Sequence, residues 1–196
     1  KAHTRVGFVK TPWLHGVHKN GLTVSWETTA KTYGTVTVTD QSGAEVGEFK
    51  SGKPKVQHEV RLTGLSPNTR YFYKTHSYTP KGARGTSVRS SALSFVTAPV
   101  DGSPFSFLLY GDSRWGIKVH KPLAEMMVAD ADKYGANLVI HTGDIVTEGH
   151  EWDLWQERFF KPASPLISRV PIMPVPGNHE LNAQLYYDYF DLPNNE

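Results

Sequence analysis

Gly111-Asp112-Ser113-Arg114, Gly143-Asp144-Ile145-Val146 and Gly177-Asn178-His179-Glu180 are the stretches whose reading decides the fold of this chain. Each closes an apolar run of strand length: Phe105-Ser106-Phe107-Leu108-Leu109-Tyr110, Leu138-Val139-Ile140-His141 and Pro171-Ile172-Met173-Pro174-Val175. Such runs read as buried strands, and the glycine that follows lets the backbone turn sharply beside a ligand. The loops recur 32 and 34 residues apart, counted from Asp112 to Asp144 to Asn178, close to the ~30 residues of one βαβ unit. Neighbouring parallel strands would then carry two carboxylates, an amide and an imidazole to one carboxyl-terminal sheet edge, where open α/β sheets bind ligands.

Outward from these loops, charge divides the chain. Residues 1–98 hold 14 Lys and Arg against 5 Asp and Glu, and residues 99–196 hold 7 against 14, so the net +2 conceals halves of +9 and −7. The acidic half suits cations and the basic half an anionic surface, the alternative being that the halves simply attract each other. A chain of 196 residues makes one large domain or two small ones at ~100–200 residues per domain. With 0 cysteines there is no disulfide framework or thiolate site, so any metal must use oxygen and imidazole ligands. No apolar run approaches the ~20 residues of a membrane span, and none is expected. The chain begins at Lys1 rather than at methionine, which fits either a removed export signal or a trimmed chain, and the expected location is secreted or periplasmic.

Residues 1–98 alternate like half-buried strands: Leu22-Thr23-Val24-Ser25-Trp26, Gly34-Thr35-Val36-Thr37-Val38-Thr39, His58-Glu59-Val60-Arg61-Leu62, Tyr71-Phe72-Tyr73-Lys74-Thr75 and Ala92-Leu93-Ser94-Phe95-Val96-Thr97. Turn residues such as Asp40-Gln41-Ser42-Gly43 and Ser66-Pro67-Asn68 separate them. The expectation is an all-β sandwich. Leu62-Thr63-Gly64-Leu65-Ser66-Pro67-Asn68-Thr69-Arg70-Tyr71 resembles the tyrosine corner of fibronectin type III domains, with Trp26 as the core tryptophan. Residues 99–104 read as a linker, and 105–196 as a separate α/β segment.

In that segment Val119, Leu123, Met126, Met127 and Tyr134 recur at helical spacing, which predicts a helix with Pro122 in its first turn. Trp152, Trp155, Phe159 and Phe160 predict a second helix packing on the sheet. Asp112 and Asp144 offer hard oxygen donors, Asn178 a neutral carbonyl oxygen and His179 an imidazole. A Gly-Asp pair by itself is an ordinary turn, but three glycine-led loops at successive strand ends point to a site. One carboxylate shared by two cations ~3.5–4 Å apart is the usual core of a two-metal hydrolytic centre.

These blocks resemble the first three of the dinuclear metallophosphoesterases, the calcineurin-like family. The preceding sandwich, with Pro12-Trp13-Leu14-His15 and Trp26-Glu27-Thr28, makes the chain similar to the purple acid phosphatase branch or a bacterial relative. The resemblance implies an all-β sandwich followed by the first half of an α/β phosphoesterase domain. It implies two transition metal ions, iron, zinc or manganese, with Asp112 on the first, Asp144 bridging and Asn178 on the second. It further implies hydrolysis of phosphate monoesters or diesters, on small molecules or polymers, by a metal-bound hydroxide, with His179 as the catalytic group at the phosphate or the leaving oxygen. Nucleic acid is not indicated as a partner.

The match has gaps. Purple members carry a tyrosine three residues after the second aspartate, where this chain has Thr147, so purple colour is not expected. Other branches carry a histidine two residues after the first aspartate, where this chain has Arg114, a candidate bidentate clamp on phosphate. His120 is a candidate replacement ligand or substrate contact, the alternative being a surface residue of the first helical turn. His141 reads as a hydrogen-bonded strand residue, and His15, His18 and His150 as exposed loop residues. The family's later blocks, a lone histidine and a Gly-His-x-His run, do not occur before Glu196. The chain is therefore expected to be one part of a longer protein whose remainder supplies those histidines and covers an apolar face of the sheet. A competing expectation is a non-catalytic binding module with a degenerate phosphoesterase half. A P-loop nucleotide hydrolase is not expected, because no Gly-Lys-Ser/Thr run is present, nor is a haloacid-dehalogenase-type phosphatase, because Arg114 stands in place of a second aspartate.

Overall fold

The computed structural model describes residues 5–79 and 86–192, so Lys1 and Glu196 lie outside the described residues. The first half forms seven strands: β1 (Phe8–His18), β2 (Gly21–Thr39), β3 (Glu45–Lys50), β4 (Lys55–Leu62), β5 (Arg70–Tyr78), β6 (Ser87–Arg89) and β7 (Leu93–Val96). The two strands expected at Leu22–Trp26 and Gly34–Thr39 are one strand of 19 residues. Its first part pairs with β1 and β4 and its second with β3 and β5, so β2 passes from one layer to the other. The change falls between Glu27 and Thr32, where the register with β4 shifts. Alternate residues Leu22, Val24, Trp26, Val36 and Val38 fill the space between the layers with Val60, Leu62, Tyr73 and Phe95. The tyrosine corner is present: the Ser66 N–H donates to Tyr71 Oη at 3.0 Å, and Asn68 takes a left-handed φ of 46°.

The second half follows as β8 (Ser106–Tyr110), α1 (Ile117–Tyr134), β9 (Ala136–His141), α2 (Trp152–Leu154), a π-helical turn at Trp155–Phe160, α3 (Lys161–Ile167), β10 (Ile172–Pro174) and α4 (Gln184–Tyr189). The three strands are parallel in the order β8-β9-β10. β10 then pairs in parallel with β1 through His15 and Ile172, so one sheet continues from the sandwich into the α/β layer. Trp13 of β1 lies in the second half's core beside Trp155, Phe159, Phe160 and Tyr189, and its indole N–H donates to the Tyr189 carbonyl at 3.0 Å. Tyr73 donates to the Ser168 carbonyl at 2.8 Å, and Arg70 and Arg61 reach Asp132 and Asp191, each at 2.8 Å. The opposite charges of the halves thus meet in part across their own junction, in exposed pairs worth ~0.2–1 kcal/mol each.

Four expectations are corrected. β8 is an edge strand rather than a buried one, with Phe107 47% and Leu109 61% exposed. Helix α1 buries His120, Ala124, Met127 and Ala131, while Val119, Leu123, Met126 and Tyr134 are exposed. Pro122 lies in the second turn of α1, where it removes one ladder hydrogen bond. His15 is buried in β1, not exposed in a loop: its Nδ1 accepts the Asp191 N–H at 2.7 Å and its Nε2 meets Ser25 Oγ at 2.9 Å. Among the described residues no helix is long and apolar enough to cross a membrane.

Candidate metal centre

The three glycine-led loops interlock at the carboxyl-terminal edge of β8, β9 and β10. Asp112 N–H donates to the Gly143 carbonyl at 3.0 Å and Arg114 N–H to the Asp144 carbonyl at 3.2 Å, joining the first loop to the second. The fit needs glycine. A Cβ on Gly111 would lie 1.9 Å from Thr142 Oγ1, and one on Gly177 would lie 2.2 Å from Asp144 Oδ1 and 2.4 Å from its nitrogen. Asp112 and Asp144 both take left-handed conformations, φ 56° and 54°, a region that aspartate tolerates better than most residues.

Glu180, fully buried, holds the second and third loops together. Its Oε2 accepts the N–H groups of Asp144 at 2.9 Å and Gly177 at 2.5 Å; its Oε1 accepts those of Ile145 at 2.8 Å and Val146 at 3.1 Å. The sequence reading gave this residue no role, and its one signal was its place three residues after the glycine that begins a helical turn, the spacing of a capping carboxylate. Gly149 was missed as well. A Cβ there would stand 2.0 Å from the Glu180 carbonyl oxygen. Trp155 ties this segment to the helices, its indole N–H donating to the Gly149 carbonyl at 2.8 Å.

Asp112 and Asp144 come together at one point. Arg114 Nη1 contacts both Asp112 Oδ1 and Asp144 Oδ2, so a single cationic group bridges the two carboxylates. The other oxygen of Asp144, Oδ1, accepts the His179 N–H at 3.3 Å. His179 Nδ1 donates to the carbonyl of Thr147 at 3.0 Å, which fixes the ring and leaves Nε2 for other partners. Asn178 is exposed in the turn Asn178–Glu180.

His120 is not brought to this edge. It is buried against Tyr110 and Phe159, its Nδ1 donating to the Arg158 carbonyl at 3.3 Å and its Nε2 3.3 Å from the Tyr110 hydroxyl. Burial holds its pKa below the usual histidine value. Neither ring nitrogen is available as a ligand or a substrate contact. His141 is the buried strand residue expected, with Nδ1 accepting the Gly143 N–H at 3.2 Å and Nε2 3.0 Å from Ser113 Oγ. Burial, reinforced by His120 nearby, pushes its pKa down to about 3.

Among the described residues no three His, Cys, Asp or Glu side chains converge as a complete metal-binding cluster. The residues nonetheless fit a cation in part: two carboxylates already share one positively charged atom, and their oxygens suit hard or borderline metal ions.

Residues 115–196 match the family model of the calcineurin-like phosphoesterases, a segment that begins just after Asp112 and Arg114. Purple acid phosphatase 23 of Arabidopsis thaliana is 27% identical over 157 residues, covering 65% of this chain and 31% of that protein. Among solved structures, purple acid phosphatase PPD1 of yellow lupin superposes with a TM-score of 0.68 at 20% identity, over 86% of this chain and 35% of that one. PhoD superposes with a TM-score of 0.64 at 14% identity, over 91% of this chain and 40% of that one. The chain thus spans between about a third and two fifths of the length of these relatives. Residues 115–196 are thus similar to a segment of the calcineurin-like phosphoesterases, on a chain that shares the fold of the lupin purple acid phosphatase: an all-β sandwich joined to a parallel α/β sheet.

Proposed function

We propose that this chain carries part of the active site of a metal-dependent phosphoesterase acting on phosphate monoesters or diesters outside the cytoplasm. In this reading 1–98 is the sandwich, 99–104 the linker and 105–196 the site-bearing segment. The observation that carries it is the convergence of Asp112 and Asp144, from two interlocked strand-end loops, on a single cationic group. Asp112, Asp144 and Asn178 would hold two transition metal ions, iron, zinc or manganese. When bound, such ions neutralise phosphate charge and lower the pKa of water. The chain's own residues do the rest. Glu180 fixes the Asp144 loop through four backbone N–H groups, and the His179 N–H orients the Asp144 carboxylate. The His179–Thr147 hydrogen bond holds the imidazole with Nε2 available to a phosphoryl or leaving-group oxygen, a contact typically worth ~10²- to 10⁴-fold in rate.

The test is metal content together with hydrolysis of p-nitrophenyl phosphate and bis-p-nitrophenyl phosphate by the protein expressed from its whole gene. Asp144→Ala is expected to lose metal and at least a hundredfold in kcat; full activity in that variant would overturn the proposal. One observation favours a second reading, a non-catalytic module: Arg114 already pairs with both carboxylates. Absence of bound metal and of activity in the whole protein would establish that second reading.

A further inference from the structure

Two carboxylates that meet at one point repel each other unless a cation lies between them. Here the cation comes from the same loop, since Arg114 stands two residues after Asp112, in the helical turn Ser113–Trp115. Its backbone is tied to the second loop by the Arg114 N–H to Asp144 carbonyl bond at 3.2 Å. Its guanidinium is mostly covered, and Nη1 contacts an oxygen of each aspartate.

The pairing is incomplete. Arg114 Nε is buried without a hydrogen-bond partner among the described residues. The Asp112 side chain is 73% exposed, against 19% for Asp144. An ion pair open to water on one side is weak and exchangeable, whereas a fully closed bidentate pair would be held firmly.

We propose that Arg114 is a built-in counter-cation for the Asp112–Asp144 pair, one that a metal ion must displace in order to bind. The inference rests on the metal-centre reading above. Its consequence is a loading switch. Without metal, the guanidinium keeps the two loops together; with metal, it is released at the site's rim, free to contact a phosphoryl group. Because the arginine is tethered, it competes at an effective concentration on the order of millimolar, so weak or scarce cations are excluded.

The experiment is calorimetric titration, with Mn²⁺, of the protein expressed from its whole gene, paired with thermal melts with and without Mn²⁺. The proteins are the native protein, Arg114→Gln, Arg114→Met as a second uncharged variant, Arg114→Lys and Asp144→Ala. Arg114→Gln and Arg114→Met are expected to bind Mn²⁺ at least tenfold more tightly than the native protein. They should melt lower without Mn²⁺ and gain more from its addition. Arg114→Lys, which keeps the charge, is expected to stay within about threefold of native affinity. Equal or weaker Mn²⁺ binding by both uncharged variants, with binding lost in Asp144→Ala, would overturn the switch and leave the metal centre standing. No Mn²⁺ binding by the native protein or the uncharged variants would overturn both.

Discussion

At the scale of single residues, the best-determined group at the site is Glu180 rather than any candidate ligand. Each of its oxygens accepts two backbone N–H groups, so four donors depend on one buried carboxylate. In Glu180→Gln one oxygen becomes an NH₂ group facing two N–H donors, which leaves them unsatisfied and adds repulsion. Buried donors without partners cost ~1–3 kcal/mol each, so the variant should lose roughly 3 kcal/mol in urea unfolding. Its Mn²⁺ affinity should fall as the Asp144 loop loosens, and an unchanged unfolding midpoint would count against this anchoring role. Glu180 was hard to read from sequence because a carboxylate after Asn-His is as readily an exposed ligand as a buried cap. Asp112 and Asp144 were legible because each follows a glycine at the end of an apolar run. His120 was misjudged because its place at the start of a helix says nothing about which way α1 turns that residue.

At the scale of elements, strands with a clean period of two were legible, and so were the turns between them. The passage of β2 between layers was not, because Glu27–Thr32 carries no glycine or proline to mark the change. The apolar spacing along α1 identified a helix correctly but not the face it buries. Small residues, Ala124 and Ala131, let α1 approach the core, while the larger Val119, Leu123 and Met126 stay outside. Leu109 and Phe107 of β8 are exposed as well, and exposed apolar side chains, where they gather into a patch, promote association. The double variant Leu109→Thr, Met126→Lys is therefore expected to shift the chain's unfolding free energy by under ~0.5 kcal/mol. It should also lower binding of the dye ANS. A loss of several kcal/mol would mean that these side chains are packed in solution.

At the scale of the whole molecule, the two halves are bound into one sheet, so their stabilities are coupled. His15 stands at the junction: it lies on β1, pairs with Ile172 of β10, and accepts the Asp191 N–H through Nδ1. Burial pushes its pKa from 6.5 down to about 4, more strongly than the neighbouring Asp191 raises it. Protonation at Nδ1 would set two donors against each other in a site without water access. The unfolded chain takes up a proton at this residue below pH 6.5, and the folded chain resists until about pH 4. Its contribution is thus fully present above pH 6.5 and is lost as pH falls towards about 4, on the order of 3 kcal/mol in all. His58 adds to the same slope: burial, reinforced by Lys55, lowers its pKa to about 4 as well. Urea unfolding at several pH values between 7.5 and 4 should show stability falling through this window. Because the sheet is continuous, fluorescence from Trp26 in the sandwich and Trp155 in the α/β half should report the same transition. His15→Gln, which removes the titrating ring, should be less stable at neutral pH yet lose less on acidification; an unaltered slope in that variant would assign the acid sensitivity to other groups.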